Sequence, residues 1–126
     1  MNDINAVSAW LCIAAGVVAG AIGGLFFHDE RWLGGYGSWR RRMVRLGHIA
    51  FLGIGLLNLA YALTIRGLHW PAPPAGVSWA LAAAGALMPA TCYLAAWRAS
   101  LRHLFPVPVG CVLAGIVGLL WQRGMS

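Results

Sequence analysis

This chain of 126 residues has no lysine and only three acidic residues, Asp3, Asp29 and Glu30. Residues 6–27, 46–65, 76–97 and 104–121 contain no Asp, Glu, Lys or Arg at all. These absences exclude whole classes. Chemistry or transport that depends on a carboxylate embedded in an apolar segment has none to use. The apolar stretches also lack alternation, which excludes the strands of a membrane barrel. Cysteine is sparse and odd in number: Cys12, Cys92 and Cys111 lie far apart, so neither a disulfide framework nor a zinc-finger spacing is present. Residues 1–5 hold no basic side chain, and the apolar stretch after them is longer than a signal-peptide core. The first stretch is therefore expected to be retained.

What is present is length and apolarity. The four stretches cover about two thirds of the sequence. At about 1.5 Å per residue, each can cross a hydrocarbon core of roughly 30 Å. Backbone groups in hydrocarbon must be satisfied within the segment, which leaves a helical bundle. The sequence thus predicts an all-α integral membrane protein: one four-helix domain over 1–126, with spans at 6–27, 46–65, 76–97 and 104–121. The longest piece outside the spans, 28–45, is too short for a soluble domain.

The formal charge is +6, but its distribution argues against nucleic acid as a partner. Arg31, Arg40, Arg41, Arg42 and Arg45 lie between spans one and two, and Arg98 and Arg102 between spans three and four. Only Arg66 and Arg123 fall on the other side. That bias in short loops predicts cytoplasmic arginine-rich loops, with both termini on the periplasmic side. Arg40, Arg41 and Arg42 are expected to meet anionic lipid headgroups. Arginine in place of every lysine fits a GC-rich genome, so the expected location is a bacterial inner membrane, multi-pass.

Small residues recur at helical spacing. Gly16, Gly20 and Gly24 share one face of span one, and Gly110, Ala114 and Gly118 one face of span four. Such faces let backbones approach closely, either within the bundle or against another protein. Pro89 lies in the middle of span three, where its ring frees a carbonyl near Gly85.

Two side chains in span two need partners: His48, about 4–5 Å inside the arginine-rich edge, and Asn58, about 20 Å in. Cys92 falls about 9 Å from the same edge, Cys111 at a similar depth, and Met88 one turn deeper than Cys92. Imidazole, thiolate and thioether are ligands for haem iron or copper, so His48, Met88, Cys92 and Cys111 form one candidate cofactor set. The simpler reading gives His48 a hydrogen bond across the bundle, toward 91–93 of span three. A second candidate, for a metal, joins His28 and His103 with Asp29 and Glu30. There too a simpler reading exists, with the carboxylates paired to nearby arginines.

Three families share features with the chain. Its length and four spans resemble the small multidrug antiporters, whose exchange requires a membrane-embedded carboxylate that is missing here. The run Gly20-Ala21-Ile22-Gly23-Gly24 is similar to the glycine-rich first helix of fluoride channels, but their threonine–phenylalanine–serine pore segment is absent from span three. Trp70-Pro71-Ala72-Pro73-Pro74 resembles a stretch of the tryptophan-rich sensory proteins, which have five spans. No family is assigned on these grounds.

The expected function is a non-catalytic membrane subunit, or an assembly or stabilising factor, of a larger complex such as a respiratory or photosynthetic one. Its partners would be the lipid bilayer and other integral membrane subunits. Two alternatives stay open: a redox protein binding haem or copper near His48, and a small transporter or channel.

Overall fold

A computed structural model describes residues 4–126; the first part of the leader, residues 1–3, lies outside the described residues. Among the described residues there are four α-helices and no strand: α1 (Ile4–Phe26), α2 (Trp39–Gly67), α3 (Ala75–Trp97) and α4 (Pro106–Gly124). Each is long and apolar enough to cross a membrane. Short 3-10 turns at Trp32–Gly34 and Ala99–Leu104 interrupt the two connections at the arginine-rich end.

Helix α2 begins seven residues before the apolar stretch that announced it. Ser38 caps it: its hydroxyl accepts from the Arg41 N–H at 3.2 Å and donates to the Leu33 carbonyl at 2.7 Å. From Trp39 to Arg45 nothing breaks a helix, and arginine is a good helix former. Charge marks where hydrocarbon can begin, not where the helix does. Helix α4 starts two residues later than its apolar stretch, with Pro106 and Pro108 in its first turn, where missing N–H groups cost little.

Helix α3 is the centre. Half of its apolar window is buried, against 17% for α1 and α2 and 11% for α4. It packs against all three other helices, while α4 packs substantially only against α3 and the turn before it. The architecture is therefore a three-helix core with a fourth helix laid on one side.

Glycines set the closest approaches. A Cβ on Gly55 would lie 3.1 Å from the Ala9 carbonyl oxygen and 3.1 Å from Cys12 Cβ. One on Gly115 would meet Leu81 at 2.8 Å. The buried residues of α1 are Asn5, Ala9, Cys12 and Gly16, spaced four, three and four apart, the seam expected of a left-handed packed pair.

Gly55→Leu forces α1 and α2 apart and should lower stability in detergent by about 1–3 kcal/mol or more. Gly53→Leu, with nothing within 4 Å of the added Cβ, should leave it unchanged. Unfolding of both variants by SDS titration compares them directly.

Candidate functional site

The core holds a connected polar cluster, toward the end that carries the 68–74 loop and both chain ends. Asn58 is fully buried and Asn5 is 5% exposed. The Asn5 amide donates to Asn58 Oδ1 at 2.8 Å and to the Ser78 carbonyl at 3.0 Å. The Asn58 amide donates to the carbonyls of Ile54 at 3.0 Å and Leu81 at 3.1 Å. The Tyr61 hydroxyl lies 3.0 Å from Ser78 Oγ; beside this cluster, Ser8 separately donates to the Ala82 carbonyl at 3.2 Å. Carbonyls can only accept, so both amide orientations are fixed by the network. Three helices are joined through α1, α2 and α3 side chains.

Sequence reasoning found Asn58 and its need for a partner but not the partner. Asn5 sits just outside the first apolar stretch and read as leader. The available signal was its register: Asn5 opens the Ala9–Cys12–Gly16 seam.

His48 also serves as a helix-to-helix contact, with a different neighbour than expected. Its Nδ1 lies 2.7 Å from the Gly16 carbonyl on α1, rather than reaching 91–93 on α3. The reason is space. A Cβ on Gly20 would fall 2.5 Å from the His48 ring, so only glycine admits the imidazole there. On α3, Tyr93 instead lies over Gly47 and Thr91 bonds back to the Leu87 carbonyl at 2.7 Å.

The candidate ligands lie on several elements. Among the described residues, no three His, Cys, Asp or Glu side chains lie close enough together to hold a metal ion. Cys92 is buried in α3, Met88 and Cys111 are half-buried, and His48 is turned to α1. His28 and His103 are both exposed and form no such group with Asp29 and Glu30.

The packing stripes divide. Gly16 meets Leu52 and Phe51, and Gly20 meets His48, whereas Gly24 has open space around it. On α4, Gly118 lies against Val77, but Gly110 and Ala114 are exposed; Gly115 and Pro108 carry the buried contact instead. The contact line on α4 thus runs beside the stripe of small residues, not along it.

Arg41 requires the largest correction. Arg40 and Arg42 are exposed, but Arg41 is 0% exposed and cannot meet a headgroup. Its guanidinium donates to the Phe27 carbonyl and, at 2.9 Å, to the Asp29 carbonyl. It lies 3.9 Å from the Tyr36 ring centre, 4.5 Å from that of Phe27 and 5.4 Å from that of Trp32. The 29 carboxylate is occupied elsewhere, accepting from the Arg31 N–H at 2.9 Å. Among the described residues Arg41 Nε has no hydrogen-bond partner. Three consecutive arginines on a helix point about 100° apart, so one of them turns inward, and the aromatic loop folds over it. Trp39 fixes the same end by donating to the Ala95 carbonyl at 2.8 Å.

Lysine is not equivalent at this position, since it lacks the planar fork that bonds two carbonyls while stacking on rings. Arg41→Lys should release the 27–38 loop, seen as faster proteolysis there, with a stability loss of about 1–2 kcal/mol. Arg40→Lys should change neither.

Comparisons with protein-family models, with curated proteins and with solved structures found no match to this chain.

Proposed function

We propose that the protein is a non-catalytic subunit, or an assembly or stabilising factor, of a larger complex in a bacterial inner membrane. One observation carries this reading. Helix α4 packs mainly on α3 and turns Gly110 and Ala114 outward, so a flank of the fold is left for a neighbour. Small residues on such a flank allow close helix contact in lipid. The interior polar groups support the same reading. Asn5, Ser8, His48, Asn58, Tyr61 and Thr91 are all engaged in hydrogen bonds within the bundle. What such a fold offers a partner is packing surface.

The proposed orientation places the arginine-rich connections in the cytoplasm and both chain ends in the periplasm, following the arginine bias. Gly37 and Ala72 are exposed and at opposite ends of the bundle, and nothing lies within 4 Å of a Cβ at Gly37. In intact cells, Ala72→Cys should react with an impermeant thiol reagent and Gly37→Cys should not. The reverse pattern overturns the orientation.

The complex itself is tested by size. Solubilised in mild detergent, the protein should migrate in an assembly with other polypeptides in fixed ratio. Gly110→Leu with Ala114→Leu should release it as a folded monomer with unchanged thermal stability. A protein that is monomeric before substitution refutes the proposal.

A further inference from the structure

Beside the buried amides, a cleft of about 240 Å³ opens between α1, α2, α3 and the 68–74 loop. Its floor is polar, with Asn5, Tyr61 and Ser78, and Arg66 stands at its rim. A second groove, almost wholly apolar, runs from it along α1 and α3, past Val7, Leu11, Ala83 and Ala86. Ile4 and Trp79 line both, so the two adjoin. From Ile4 to Leu11 the groove extends about 10 Å toward the middle of the bundle.

The floor has unused hydrogen-bonding capacity. Both N–H groups of Asn5 are spent on Asn58 and Ser78. Among the described residues nothing donates to Asn5 Oδ1, although the side chain is 95% buried. Tyr61 and Ser78 share one hydrogen bond between two hydroxyls, which leaves one hydroxyl proton over. The site therefore presents one acceptor and one donor, both at the bottom of a cleft too small for a drug-sized molecule. Arg66 is already engaged within the chain, and its five N–H donors allow a guanidinium to serve two partners at once.

We propose that this cleft and groove together bind one phospholipid of the phosphatidylglycerol type, from the leaflet on the side of the chain ends. A headgroup hydroxyl donates to Asn5 Oδ1 and an oxygen accepts from the Tyr61–Ser78 pair. The phosphate lies toward Arg66, and one acyl chain follows the apolar groove beneath Trp79. The site is at the opposite end of the bundle from the exposed arginines, whose attraction for anionic lipid is a diffuse surface effect. Here the headgroup is read by buried polar atoms. The proposal does not depend on the protein's belonging to a complex.

The test uses the full chain, purified and stripped of lipid in detergent, with thermal unfolding followed as lipid is returned. Phosphatidylglycerol should raise the midpoint. Phosphatidylcholine, whose headgroup has no N–H or O–H, should do so much less, and glycerol 3-phosphate alone should not. Ala83→Phe fills the groove from an exposed position, and should abolish the rise while leaving the lipid-free midpoint unchanged. If that variant does not fold, Ala86→Phe fills the same groove one turn further in. Tyr61→Phe should weaken the response. An equal rise in the groove-filled variant means that the lipid acts elsewhere, the arginine-rich end included, and overturns the proposal. So does an equal response to phosphatidylcholine, no response at all, or a full response to glycerol 3-phosphate, which would make this a site for a soluble phosphate.

Discussion

The bond between Asn5 and Asn58 is the constraint on which the rest of the bundle depends. An amide group inside an apolar bundle needs partners: Asn5 donates to Asn58 and to a backbone carbonyl of α3, and Asn58 donates in turn to backbone carbonyls of α2 and α3. Individually such bonds are modest, about 0.6–2 kcal/mol in a membrane. Their effect lies in alignment. Apolar surface slides against apolar surface with little change in energy, whereas an amide that misses its partner leaves a buried group unpaired. Rotating α1 by one residue would break the contact to Asn58 and the contact to the Ser78 carbonyl together.

Close approach and polar pairing reinforce each other. Gly55 and Gly85 bring α1 against α2 and α3 so tightly that Cys12 lies over both. Only at that separation can a side chain as short as asparagine or serine span the gap. Gly16 and Gly20 do the same for His48 at the other end. The small residues and the polar ones are therefore two parts of one device, with neither sufficient alone.

The four helices were legible because hydrocarbon-length apolar runs without charge admit few other structures. The ends of α2 were not, since the arginines that stop an apolar stretch continue a helix. Which glycine faced what was only partly legible. The stripe on α1 is used at Gly16 and Gly20, but on α4 the buried line passes through Gly115, which spacing by four does not select. Arg41 was hidden for a different reason. Composition treats three adjacent arginines alike, and only the rotation of the helix beneath Tyr36, Phe27 and Trp32 separates the middle one from its neighbours. His48 was recognised as needing a partner, and its partner was obscure because a backbone carbonyl leaves no mark in a sequence.

The placement of α4 has a consequence for how the chain is made. Every member of the amide network, from Asn5 to the Leu81 carbonyl, precedes the end of α3 at Trp97. Synthesis delivers the N-terminal part first, so the core can close on itself while the last helix is still in the ribosomal tunnel. The fourth helix then arrives at a finished surface. It joins by shape, through Gly115 over Leu81 and Gly118 over Val77, and the order of assembly is written into the order of the residues.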